Sequence, residues 1–359
     1  MPSTEEAAQE RRSDYDVTNT VQVSSPRDVR RAVGELFTSL YPASPFDAVW
    51  LGFHDFERMF CGFDPDYHGI DTAYHDMQHS LDMTLAVARL VAGYESSVPE
   101  RDRLGPERAM LALISALFHD SGYLRHKTED RDSANGAEFT LTHVTRSGRF
   151  LERYLPRVGL DEFVPVIGRI VHFTGYEMPL DRIELEAPKD YLVGHLLGTG
   201  DLLAQLADRC YLEKCRDRLF PEFVLGGVAF ENREGGATVR YRSGRDLLAQ
   251  TLQFYQGSVH LRLERGFNGA YRYLEAYFGG EQNPYVRFIR KNLGFLSRVL
   301  QEDAWDKLRR RPPCVIPDPY GEARLMALAL KRVREVTEAD RRARRSGEQA
   351  SGDSPPALA

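Results

Sequence analysis

The sequence predicts an all-α bundle with one small irregular or hairpin insert. Three observations carry the prediction. The apolar stretches are longer than typical strands, and most place apolar residues at i, i+3, i+4 and i+7, the period of a helix with one buried face. Short breaks at Gly or Pro separate them. Only one segment, Val224 to Gly244 (VLGGVAFENREGGATVRYRSG), carries short β-branched and aromatic runs between Gly pairs, which is the signature of a loop or small hairpin.

In chain order, the first 25 residues mix acidic and basic side chains without an apolar core and predict a disordered tail. Helical periodicity follows through Ala73–Leu90 (AYHDMQHSLDMTLAVARL) and through ERAMLALISALF, which ends at Phe118. His126 to Ser147 is polar and rich in acceptors and Arg. Helical patterns resume in DYLVGHLL, in DLLAQLADRCYLEKC from Asp201, and beyond the insert in DLLAQTLQFYQ and YVRFIRKNLGFLSRVL. The basic run Lys307 to Pro313 (KLRRRPP) fits a solvated helix end better than a phosphate or partner contact. The closing stretch from Glu335 has no periodicity to anchor it. The expected organisation is a tail over 1–25, a helical domain over 26–300 with its motifs in 70–210, and a C-terminal helical extension and tail over 301–359. No internal repeat is visible.

A chain of 359 residues with 42% hydrophobic residues can bury a substantial core. Its formal net charge of -6 argues against a broad nucleic-acid surface. Cys61, Cys210, Cys215 and Cys314 lack the paired short spacings of a cysteine zinc site, so reduced thiols are expected. The N-terminus has no signal-peptide core and no stretch approaches the length of a membrane span. A soluble cytoplasmic protein is expected.

Three places carry candidate chemistry. On a helix at 100° per residue, His75, His79 and Asp82 fall on one stripe flanked by apolar arcs, so all three are expected to point inward and to need partners. Two histidines hydrogen-bonded in a core would explain one such residue; a pair at i, i+4 with an Asp three residues on favours ligation. His119-Asp120 ends the longest apolar run before Ser121-Gly122-Tyr123. A buried Asp there is costly without a cation or a hydrogen-bond network, although a capped turn would also explain it. Asp201 follows Gly-Thr-Gly and shares a helix face with Gln205 and Asp208; helix cap and ligand are equally consistent with that position. A second His-Asp pair, His54-Asp55, has no partner motif and is assigned to structure.

The ordered set His79, His119-Asp120, Asp201 resembles the metal-binding pattern of the HD superfamily of phosphohydrolases. Tyr74-His75-Asp76-x-x-His79-x-x-Asp82 is similar to the Y-H-N-x-x-H-x-x-D signature of the cyclic-nucleotide phosphodiesterases. The resemblance implies an HD-type helical bundle with His79, His119, Asp120 and Asp201 as ligands to a first metal, and Asp120 bridging to a second. It implies His75 as the general acid and Asp82 as the group orienting a ligand histidine. Zinc, iron or manganese would suit the first site and magnesium or manganese the second. The sequence departs from the phosphodiesterase pattern at Asp76, where Asn is usual, and at Tyr123, where a second His is usual; HDSGY resembles the H-D-x-x-Y of prokaryotic HD proteins.

His126, Glu138 and His143 are the residues that could compensate at the second metal, with Arg146 a candidate phosphate contact and His172 a further candidate. The expected function is hydrolysis of a phosphodiester, a 3′,5′-cyclic nucleotide being one such substrate. The alternatives are a nucleotide phosphomonohydrolase on the same scaffold and a non-catalytic nucleotide-binding sensor. A di-iron oxygenase would need more histidine ligands. The expected partner is a small phosphorylated molecule.

Overall fold

A computed structural model describes residues 11–233, 236–280 and 282–352. Among them the fold is all-α apart from one hairpin. Helices α1 (Pro26–Leu40) and α2 (Asp47–Phe60) precede the long α3 (Met77–Ser97). There follow α4 (Pro106–Phe118), α5 (His143–Tyr154), α6 (Val164–Ile170) and α7 (Pro188–Ala207). A helical rod, α8, runs through Tyr211–Lys214, a π turn at Cys215–Leu219 and Phe220–Leu225. The rest comprises β1 (Phe230–Arg233), β2 (Gly236–Val239), α9 (Gly244–Phe254), α10 (Tyr273–Tyr277), α11 (Pro284–Glu302) and α12 (Gly321–Gly352).

The two helices that matter most for the site are buried on nearly every face. Of α3, residues Met77 through Gly93 are all buried, and α7 is buried from Leu196 through Ala204. A helix apolar all round belongs at the centre of a bundle. Helix α3 packs against α1, α4, α7 and α10. Gly200 on α7 lets the two central helices close up, since a Cβ there would meet Val87 of α3.

The insert is an antiparallel hairpin pairing Phe230 with Val239. With the end of α8 it forms a second, small core in which Val224, Ala229, Tyr241 and Leu247 enclose Ala329 of α12. The hairpin thus helps to anchor the C-terminal helix.

Three expectations about the chain ends change. Residues 11–25, expected as part of a tail, lie over the central helices; the preceding ten fall outside the described residues. Asp16 is fully buried and accepts hydrogen bonds from Arg89 of α3 (2.7 Å) and from the backbone of Thr18, Thr20 and Val21. Arg11 donates to the Ala207 carbonyl (2.8 Å) at the end of α7. The segment is held by these polar contacts and by the buried Val17 and Val23, too few and too irregularly spaced to read as a helical face. At the other end α12 runs on through Gly352 where a tail was expected, and residues 353–359 lie outside the described ones. Lys307–Pro313 is not a helix end. After a short 3-10 turn at Trp305–Lys307 it becomes an irregular strap. Arg218 holds the strap by donating to the carbonyls of Pro312 (2.5 Å) and Pro313 (2.9 Å). No described helix is long and apolar enough to cross a membrane.

Candidate metal centre

Helix α3 begins two residues after His75. Asp76 is its N-cap: extended in backbone, with its carboxylate accepting the His79 N–H at 3.1 Å. Asp and Asn cap equally well, so the Asp at this position does what Asn would. The other Asp76 oxygen accepts the Val315 N–H of the strap (3.1 Å). This corrects the expected single stripe, because His75 precedes the helix while His79 and Asp82 lie on it.

At the end of α4 the chain leaves the helix at His119 and turns through Asp120 into a 3-10 turn, Ser121–Tyr123. Gly122 is required there. Its N–H donates to Ser147 Oγ (2.8 Å), its carbonyl accepts from Arg146 Nε (2.7 Å), and a Cβ would run into the backbone of His143.

These elements bring four expected side chains together. His79 from α3, His119 and Asp120 after α4, and Asp201 from α7 are all buried. His119 Nε2 lies 3.1 Å from Asp120 Oδ2, His79 Nε2 lies 3.4 Å from the same oxygen, and Asp201 Oδ1 lies 3.3 Å from His79 Nε2 and 4.0 Å from His119 Nε2. Donor atoms of His79, His119 and Asp120 all fall within 4.8 Å of one another. Neighbouring ligands on a metal with bonds of ~2.0–2.2 Å are separated by roughly 3.0–3.6 Å, so most of these spacings match a coordination shell.

The closest pair is not aligned as a hydrogen bond: both His119 Nε2 and Asp120 Oδ2 are buried without a hydrogen-bond partner. The two atoms meet as a charge contact without an aligned hydrogen bond, and together with the donors of His79 and Asp201 they form a set that fits a cation.

The ligand candidates are oriented from behind. His119 Nδ1 bonds the Ala116 carbonyl (2.9 Å), which directs Nε2 into the cluster. Gln205 donates to Asp201 Oδ1 (3.1 Å) while its own oxygen accepts from the Tyr74 hydroxyl (3.1 Å). Such supports hold a site in its geometry. Burial disfavours a charged His119, but Asp120 and then Asp201 outweigh it and push the imidazole up to about 9. Asp120 is correspondingly held far below the usual carboxylate range: burial opposes its charge, and His119, His75 and His79 more than offset that.

His75 is held by a residue that the sequence did not mark. Glu222 of α8, fully buried, lies 2.6 Å from His75 Nδ1 through Oε2, and its Oε1 accepts the Tyr74 N–H at 2.6 Å. Burial lowers the His75 pKa, yet Glu222 outweighs it and the net shift is upward. A lone Glu after a π turn, near the insert, gives no local signal of this pairing. Lys214, Arg218 and Glu222 are all buried. In an α-helix Glu222 would sit about 80° round from Lys214, and the intervening π turn takes up that difference.

Tyr123 lies between two histidines, its ring stacked on His75 and on His143 with centroids 4.5 Å away in each case. His143 Nδ1 bonds the Thr140 carbonyl (2.8 Å) and Nε2 stands 3.8 Å from Asp120 Oδ1, the carboxylate oxygen turned away from His79. Burial and the neighbouring His75 lower its pKa.

Other expected residues have other roles. Asp82 is buried but bonds no histidine among the described residues, and its Oδ1 has no partner. It faces a space of ≈ 10 Å³ shared with Gln78, His79 and Asp208, and burial together with Asp208 and Asp16 raises its pKa to about 7. The orienting role expected of it falls instead to the Ala116 carbonyl, because the α4 C-terminus presents that acceptor to His119.

Glu138 is exposed and accepts the Ala134 N–H (3.0 Å). Arg146 spends its donors on Gly122, Leu124 and Asp130. His126 is tied into its own loop by Thr128. His172 is buried with Nδ1 unpartnered and is not among the clustered donors. Asp55 accepts the Tyr154 hydroxyl (3.0 Å), a structural contact as expected. All four cysteines are free. Compared with protein-family models, with curated proteins and with solved structures, the chain matches none.

Proposed function

We propose that this chain is a metal-dependent phosphohydrolase of the HD type that hydrolyses a phosphodiester, with 3′,5′-cyclic nucleotides the first substrate class to test. The observation that carries the reading is the meeting of His79, His119, Asp120 and Asp201, with His119 Nε2 and Asp120 Oδ2 buried and unpartnered. His and carboxylate donors together suit zinc, iron or manganese. A second ion, such as magnesium or manganese, would be held by Asp120 and His143, whose Oδ1 and Nε2 stand 3.8 Å apart.

Bound divalent ions would supply a nucleophilic water at neutral pH and neutralise charge on the phosphoryl oxygens. The chain's own residues supply the rest. His75 donates a proton to the leaving oxygen, because Glu222 on Nδ1 favours its charged form and leaves Nε2 to give the proton. The Tyr123 ring, packed against His75 and His143, fixes both imidazoles. His75 and His143 keep some exposed side-chain surface, as does Glu177, which accepts the Val144 and Thr145 N–H groups beside them.

The test is a panel of cyclic nucleotides, nucleoside monophosphates and nucleoside triphosphates incubated with manganese, alongside metal analysis of the purified protein. Cyclic nucleotide hydrolysis is expected, with a loss of more than about 100-fold in His119→Ala and Asp120→Asn. Cleavage of monoesters alone would refute the phosphodiester assignment. A folded protein that takes up no metal would refute the centre itself.

A further inference from the structure

Where the end of α7 meets α11 and the strap, five cations converge on one cleft of ≈ 120 Å³: Arg11, Arg209, Lys291, Arg298 and Arg310. They come from four separate stretches of chain. Arg11 lies in the N-terminal segment, Arg209 just beyond α7, Lys291 and Arg298 two turns apart on α11, and Arg310 in the basic run that the metal centre does not use.

Like charges gathered from distant segments repel unless an anion offsets them. Carboxylates answer only part of this charge: Asp208 acts on Arg11 and Glu302 on Arg298, while Glu213 Oε2 lies 3.9 Å from Arg310 Nη1 and makes no hydrogen bond. Arg11 uses Nε and Nη1 on the carbonyls of Asp16 and Ala207, and Arg310 uses Nη1 on the carbonyl of Arg209. Among the described residues no hydrogen bond or ion pair engages the side chain of Arg209, Lys291 or Arg298. Burial, with Arg310 and Arg11 alongside, holds the Arg209 pKa below its ordinary value, as expected of cations short of counter-charge.

We infer that this cleft binds a polyphosphate chain. One phosphate group carries at most about two negative charges at neutral pH, fewer than the cleft would take up; a di- or triphosphate matches it better, and guanidinium groups suit phosphate oxygens. Two phenyl rings, Phe288 and Phe295, also line the cleft. The phenyl ring of Phe288 in its wall is already covered by Arg11 (4.6 Å) and Arg287 (4.8 Å). Bound there, the phosphate chain ties the strap to α11 and to the end of α7. This inference stands apart from the metal centre and does not depend on the proposed hydrolase activity.

The experiment is calorimetric titration of the full chain, stripped of metal by chelation, with inorganic tripolyphosphate and separately with ATP. Both are expected to bind, with affinity falling as salt rises. Lys291→Ala/Arg298→Ala, which alters two exposed side chains, is expected to weaken binding by at least about 10-fold with the melting temperature unchanged. Arg209→Gln is expected to weaken it similarly. Equal affinities assign the site to the phosphate chain alone, and tighter ATP assigns it to a nucleotide. The inference is overturned if neither probe saturates, if the double variant binds as the parent does, or if a single-stranded oligonucleotide binds where tripolyphosphate does not.

Discussion

Glu222 shows how much of this site depends on one unsignalled side chain. It sits 147 positions from His75 in sequence, yet it is the only carboxylate at hydrogen-bond distance from that imidazole among the described residues. A carboxylate on one nitrogen of a histidine sets both its orientation and its charge. Glu222→Gln keeps the shape and removes the charge. With the proposed substrate it is expected to lower kcat by roughly 10- to 100-fold while leaving KM and bound metal within about 2-fold. Steady-state kinetics paired with metal analysis checks this. An unchanged kcat would remove Glu222 as a positioning residue.

At the scale of elements, the decisive joint is the one between α4 and α5. Helix α4 delivers His119 and Asp120 only because Gly122 lets the following turn press against the backbone of His143, with Ser147 and Arg146 taking both of its peptide groups. Gly122→Ala has no room for its methyl group and must push α5 away, at a cost of about 1–3 kcal/mol. The expected outcome is a lower melting temperature together with weakened metal uptake, because Asp120 and His143 both border that joint. A variant that melts earlier yet binds metal as tightly as the parent would show that the cluster does not depend on this contact.

For the molecule as a whole, residues 11–25 act as a polar clasp across the two central helices. Asp16 and Arg89 form its buried ion pair at 2.7 Å. Burial alone would raise the Asp16 pKa, but Arg89, Thr18 and the backbone N–H of Val21 outweigh it and bring the carboxyl from 3.8 down to about 2. A carboxylate with a depressed folded pKa stabilises the fold above its unfolded pKa, and that contribution fades as pH falls through the folded value. Stability is therefore expected to hold above about pH 4 and to lose roughly 2 kcal/mol by pH 2 from this group. Asp16→Asn leaves Arg89 buried without its counter-charge and is expected to cost about 3–5 kcal/mol at neutral pH. Urea unfolding against pH reads both effects. If the variant keeps the parent's acid dependence between pH 4 and pH 2, the pair is not the source.

The helical fold and the four clustering side chains were legible in the sequence for a local reason. Apolar periodicity records which face of each helix is buried, and a His or Asp set in an apolar run is costly enough to announce that it has a partner. His119 and Asp120 close such a run and His79 lies on a stripe flanked by apolar arcs, whereas at Asp201 a helix cap and a ligand were equally consistent and only the ordered set pointed to it. What only the tertiary structure decided is which distant groups complete them. Glu222 behind His75 and the Ala116 carbonyl behind His119 come from segments with no local signal, while the pairing of Gln205 with Tyr74 and the meeting of Arg310 of the basic run with Arg11, Arg209, Lys291 and Arg298 are decided only by packing. Contacts between chain segments far apart are set by the packing of whole helices, including a π turn that shifts one face by a fraction of a turn, and neither leaves a periodic mark in the order of residues.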